Sequence, residues 1–174
     1  MCRLPATAIV ILLTAALWLP GCARKDASPS SLPGERRYGD VTGYADEVIS
    51  RTNAERQKVG LRMLDKDSGL MAATALRAQE IERVFEHTRP DGRPYYTVLS
   101  EFQVKSYNRW AENIIYSTGG TPAEAMEWWM NSPGHRVNIL NKDYTHIGVG
   151  VHQSKGQTYF VQLFIGRPEE EERR

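Results

Sequence analysis

The chain has 174 residues, 41% of them hydrophobic and 25% charged, with 22 Lys and Arg against 21 Asp and Glu. A formal net charge of +1, with no Lys/Arg run and no aromatic–basic interleaving, excludes the electrostatic footprint of a nucleic-acid binder. Its two cysteines, Cys2 and Cys22, are too few for a disulfide framework or a thiolate zinc site, so the folded part must be held by its core.

Residues 1–21 read as an export signal. Arg3 supplies a short positive region, and Ala6 to Leu19 is an apolar run shorter than the roughly 20 residues a membrane span needs. It ends in Leu19-Pro20-Gly21-Cys22, which resembles a lipobox, with Pro20 a departure from the usual small or β-branched residue. The expected outcome is lipidation at Cys22 and attachment to a membrane through that N-terminal lipid, firmly if two acyl chains are added. Residues 22–40, rich in Ser, Pro and Gly, are predicted to be a disordered tether, and residues 167–174, with Glu169 to Glu172, a solvated acidic tail. Residues 41–166 remain, enough for one compact domain.

Within that domain Val41, Tyr44, Ala45, Val48, Ile49 and Thr52 keep helical spacing, and Gly60 fits a left-handed exit. Asp67 or Ser68 can cap a second helix through Leu70 to Phe85, whose Ala72, Ala73, Ala75 and Ala78 permit close packing. That helix delivers His87, followed by Pro90 and the Asp91-Gly92 turn signal. A short helix is expected around Thr97 to Val104. Arg109 to Ser117 reads as a strand entered through an irregular turn at Glu112 and Asn113. Thr121, Pro122 and Glu124 form a capping box for a helix whose Ala125, Trp128 and Trp129 would face a core. Pro133 stops it, Gly134 lets the chain turn, and His135 and Arg136 follow. Ile147, Val149 and Val151 alternate with His146, Gly148, Gly150 and His152 in a strand that pairs, through Ser154-Lys155-Gly156, with Thr158 to Ile165. Helices first and a hairpin last predict an α+β fold with an antiparallel sheet.

Two of the four His, His87 and His135, follow helix ends beside Pro and Gly, and Glu112 stands at a strand entry. Two imidazoles and one carboxylate suit Zn²⁺ or another divalent metal with an open position for water. The same groups also suit proton transfer, with Glu112 orienting a His as general base. A packing reading stands beside both: a His after a helix caps carbonyls, and Glu112 can bond backbone N–H groups. No nucleophile elbow, phosphate loop or H-E-x-x-H is present. His146 and His152 share one strand face and read as surface or groove residues, and Arg136 as a partner for a local carboxylate or carbonyl.

Four segments in order resemble the CAP (or SCP) superfamily of cysteine-rich secretory, antigen 5 and pathogenesis-related proteins: Asn53 to Leu61 (N-A-E-R-Q-K-V-G-L), His87 to Gly92 (H-T-R-P-D-G), Ala111 to Ile114 (A-E-N-I) and Trp129 to Leu140 (W-M-N-S-P-G-H-R-V-N-I-L). The likeness is greatest to its short, disulfide-free bacterial branch. The resemblance implies a three-layer α-β-α sandwich around a central antiparallel sheet, with a cleft holding two His and two acids. His87, Glu112 and His135 match three of these, Ser132 stands where the second acid would be, and Glu127 lies a turn earlier. Asn113, Ser132 and Arg136 are expected to support the cleft. Family members are described as binders of sterols, lipids or metal ions, as secreted signalling proteins and as proposed proteases. The leading expectation is a membrane-tethered protein binding a divalent metal, lipid or envelope component in the cleft. A metal-dependent hydrolase and a non-catalytic interaction module, with the His/Glu cluster as an internal polar network, are the alternatives.

Overall fold

The computed structural model describes residues 41–168. The export signal, the Cys22 lipidation position, the tether at 22–40 and Glu169 to Arg174 of the acidic tail lie outside the described residues.

The first helix, α1 (Tyr44–Lys58), carries Asp46 and Glu47 in its first turn and Arg56 and Lys58 in its last, as the helix dipole favours. It buries Val48, Ile49 and Thr52, and Gly60 leaves it at φ 74°. Arg56 is fully buried as well, its guanidinium donating to the carbonyls of Arg62, Ile139 and Asn141 at 2.8–2.9 Å, so a cation ties the segment after α1 to the segment at 139–141. A two-residue strand, β1 (Asp65–Lys66), precedes α2 (Ser68–Arg83). Asp67 caps α2 by accepting from the Leu70 N–H at 2.8 Å, and its other oxygen accepts from Arg167 at 2.8 Å. That ion pair fastens the first residue of the expected tail to the domain. A 3₁₀ turn (Tyr95–Thr97) and α3 (Val98–Glu101) follow, then β2 (Arg109–Thr118), α4 (Pro122–Asn131), α5 (Pro133–Ile139) and the hairpin β3 (His146–Ser154) and β4 (Gln157–Gly166).

The sheet runs β1-β3-β4-β2. Its three long strands are antiparallel, as expected, and β1 adds a short parallel edge, Asp65 beside His146. β1 has no legible pattern because both its residues are exposed. Helices cover both faces. On β4, Phe160 and Phe164 pack toward α1, α4 and α5, while Val161, Leu163 and Ile165 pack toward α2 and α3. The period of two along the strand thus serves two cores. The result is the expected three-layer α-β-α sandwich, with β2 as an edge strand.

Three local expectations change. Glu112 and Asn113 are not an irregular entry; they pair in register with Leu163 and Gln162 inside β2. Pro133 does not lead into a loop but opens α5 as its first residue, where the missing N–H costs nothing. Gly134 is therefore helical rather than a free turn, and a Cβ there would meet nothing within 4 Å. Gly134→Ala should raise stability by about 0.5 kcal/mol, read by thermal melting, because Ala orders at lower entropic cost. Finally, Trp129 is buried but Trp128 is 66% exposed. The stripe facing the core is Ala125, Met126 and Trp129.

Candidate functional site

Glu112 and Asn113 are consecutive on the edge strand, so their side chains leave opposite faces of the sheet. Each reaches one of the two candidate histidines, Glu112 at the ring and Asn113 at the backbone carbonyl. Glu112 reaches His87 on the α2 side, and Asn113 reaches His135 on the α4/α5 side. The short A-E-N motif is the hinge between the two helical layers.

On the first side, Glu112 Oε2 lies 2.8 Å from His87 Nδ1. The same carboxylate, fully buried, accepts from Arg77 Nε at 2.8 Å and Nη2 at 3.2 Å. An ionised carboxylate only accepts, so Nδ1 carries the His87 proton and Nε2 is left for a ligand. Arg77, also fully buried, donates further to Glu80 at 2.8 Å and to the Glu86 carbonyl at 3.0 Å. Glu80 in turn holds Arg89 at 2.7 Å, and Arg89 holds Glu101 at 2.6 Å. This chain pins the 84–94 segment, which carries His87, onto α2. Burial alone would lower the pKa of Arg77, but the hydrogen bonds and charges of Glu112 and Glu80 outweigh it and raise it.

On the second side, the Asn113 amide donates to the His135 carbonyl at 3.2 Å and to Gln162 at 3.0 Å, and accepts from Asn138 at 2.9 Å. Gln162 continues to Thr52 of α1 at 2.8 Å. This buried polar ladder locks α5 to the sheet. His135 Nδ1 lies 2.9 Å from Ser132 Oγ. Burial, and then the charge on His87, lowers the pKa of His135 below its usual value, so it is neutral at pH 7.

Both imidazoles line one cleft of about 510 Å³, together with Phe85, Ile114, Ile115, Trp128, Trp129 and Ser132. Glu112 stands behind His87 rather than in the wall. Phe85 is braced edge-on by Tyr116, ring centroids 4.7 Å apart. The cleft is an apolar, aromatic-walled opening with a few polar atoms, the composition common in small-molecule sites of about 300–1,000 Å³.

The expected metal set of His87, Glu112 and His135 does not fit a three-ligand centre. Among the described residues no group of three or more His, Cys, Asp or Glu is placed to hold an ion. The physical reason is Arg77, which occupies both Glu112 oxygens and brings a positive charge where a cation would need a negative one. Of the expected supports, Asn113 bonds the His135 carbonyl and Ser132 the His135 ring, whereas Arg136 stands apart. It lines a separate hollow with Pro133, Val137 and Lys142, and makes no side-chain hydrogen bond to a carboxylate or carbonyl among the described residues. Glu127 lines a groove between α1 and α4. His146 and His152 share a sheet face, as their spacing predicts. His152 Nε2 meets Glu82 at 2.9 Å, and His146 Nδ1 meets the Thr145 hydroxyl at 2.7 Å.

The sequence reading missed Arg77, Glu80 and Arg89. Their only signal was three charged residues on the otherwise apolar side of one helix and its loop.

Residues 49–164 match the model of CAP, the cysteine-rich secretory protein family. YkwD of Bacillus subtilis is 37% identical over 150 residues, which cover 85% of this chain and 55% of YkwD. The membrane protein YlbC of the same organism is 32% identical over 141 residues, 80% of this chain and 39% of YlbC. The chain thus spans about half, or less, of the length of the curated relatives it matches. An extracellular SCP-domain protein of Bacillus anthracis superposes with a TM-score of 0.66 at 26% identity, over 72% of this chain and 41% of that one. An outer surface protein of Borrelia burgdorferi gives 0.62 at 25% identity, over 71% of this chain and 92% of that one. The sandwich, the order of its motifs and these matches agree: the chain belongs to the CAP family of cysteine-rich secretory proteins.

Proposed function

We propose that the protein is exported, is held at the cell envelope by a lipid on Cys22, and binds an amphipathic envelope ligand in the His87/His135 cleft. The ligand's apolar part lies against Phe85, Ile114, Ile115 and Trp128, and its polar head meets His87 Nε2 and His135. The observation that carries this reading is the apolar-walled cleft of about 510 Å³ with two imidazoles converging on it from different layers. Export is supported by the sequence of residues 1–21 and by relatives described as extracellular or as an outer surface protein. No helix of the described residues is long and apolar enough to cross a membrane.

A lipid-like or acyl ligand suits the walls better than a metal, since the Glu112 carboxylate is engaged by Arg77. The test is calorimetric titration of the full-length protein with dodecanoate. Saturable binding is expected, weakened tenfold or more by Trp128→Ala, a change at a 66% exposed side chain that should leave the melting temperature nearly unchanged. Absence of saturable binding, or equal binding by the variant, would refute the cleft reading.

A further inference from the structure

We infer that Ser132 and His135 form a nucleophile–base pair, and that the cleft hydrolyses carboxylic esters with an apolar acyl group. The inference rests on the cleft binding such a ligand. Its starting point is a helix cap that does not cap. Thr121 and Asp67 precede α4 and α2, and each side chain accepts from the backbone N–H three residues on. Ser132 occupies the same position before α5 and makes no such bond. Its hydroxyl is turned to His135 Nδ1 at 2.9 Å instead, and both side chains line the cleft.

That pair meets the distance requirement for activating a serine, nucleophile and base within about 2.6–3.2 Å of each other. His135 is held through its backbone, by the Asn113 amide on its carbonyl at 3.2 Å. Its pKa is lowered by burial and by the charge of His87, which keeps the imidazole neutral and able to accept a proton. In the tautomer with the proton on Nε2, Nδ1 accepts from the Ser132 hydroxyl. A metal is not required, so the engagement of Glu112 by Arg77 is no obstacle.

The reaction balances with water as the only co-reactant. Ser132 Oγ attacks the ester carbonyl carbon while its proton passes to His135 Nδ1. His87, its Nδ1 held by Glu112, stands in the same cleft beside the reacting ester. The C–O bond to the alcohol breaks, and the leaving alkoxide takes the proton from His135. Water then adds to the acyl-serine, giving its proton to His135. The acid departs as that proton returns to Ser132 Oγ. The aromatic and aliphatic wall of Phe85, Ile114, Ile115 and Trp128 selects the acyl chain, and dodecanoate stands for the product.

The experiment treats the full-length protein with a fluorophosphonate and locates the adduct by peptide mass, then follows p-nitrophenyl octanoate hydrolysis. Phosphonylation of Ser132 is expected, with hydrolysis reduced at least a hundredfold in Ser132→Ala and in His135→Ala. Because labelling is read on the unmodified protein, a variant that fails to fold does not decide the matter. Dodecanoate binding with neither labelling of Ser132 nor hydrolysis would overturn the ester-hydrolase inference and leave the binding reading intact. Loss of binding as well would overturn both. Hydrolysis that survives undiminished in Ser132→Ala would also overturn it.

Discussion

Arg77→Met is expected to destabilise the domain by about 3–5 kcal/mol, the usual cost of removing one member of a buried charge pair. Arg77 and Glu112 are both fully buried, and the Arg77 guanidinium supplies two of the hydrogen bonds that the Glu112 carboxylate accepts. Met fills much of the same volume but leaves Glu112 desolvated beside a single His87 N–H. For a domain of this size the thermal midpoint should fall by roughly 10–20 °C. The double variant Arg77→Met/Glu112→Gln should be less unstable than the sum of the single ones, because the orphaned charge is gone. A loss below about 1 kcal/mol for Arg77→Met would mean that the cluster is solvated and the burial argument fails. The same cluster gives a pH signature. Burial opposes ionisation of Glu80, but the hydrogen bonds and charges of Arg89 and Arg77 outweigh it and hold the carboxyl below its ordinary value of 4.5. A carboxyl with a lowered folded pKa contributes fully above the unfolded value and loses that contribution as pH falls. The midpoint should therefore hold down to about pH 5, decline below 4.5, and decline less steeply in Glu80→Gln.

The contrast between what the sequence showed and what it concealed follows from the range of the interactions. The capping box at Thr121, the Asp67 cap, the αL exit at Gly60 and the β3–β4 turn are all settled within a few residues, and all were legible. Family motifs added the order of the layers. Tertiary pairing was not legible. Glu112 lies 35 residues from Arg77, and nothing local in A-E-N-I distinguishes a regular strand with two buried polar side chains from an irregular turn. Ser132 and Pro133 were correctly read as an interruption. Whether the chain then loops or starts a new helix depends on Asn113 of β2, which anchors α5 to the sheet edge through Asn138 and the His135 carbonyl. Trp128 and Trp129 illustrate the same limit. One helical face cannot bury both adjacent rings, and the sheet below decides for Trp129. The Glu112–Arg77–Glu80–Arg89 chain is a buried polar network that ends on a half-exposed His87 facing the cleft.

Gly150→Ala should be at least as damaging as the loss of Arg77, through sterics rather than charge. β3 turns Gly148 and Gly150 toward α2, and α2 lies directly against them. A Cβ on Gly150 would come well inside 3.0 Å of the Thr74 carbonyl group and 2.8 Å from the Ala75 nitrogen. These are backbone atoms of a helix, with no flexible side chain to rotate away, so α2 must lift off the sheet or β3 must bend. Overpacking of this kind costs about 3 kcal/mol or more when the neighbour cannot yield. The displacement begins at Thr74, one turn before Arg77, and therefore draws the guanidinium away from Glu112 and frees His87. Stability and dodecanoate binding should thus fall together in Gly150→Ala. In Trp128→Ala only binding falls, and in Gly134→Ala stability rises. If Gly150→Ala costs less than about 1 kcal/mol by chemical denaturation, α2 is not pressed onto β3 as described. The small residues on its inner face, Ala73 and Ala78, would then need another explanation.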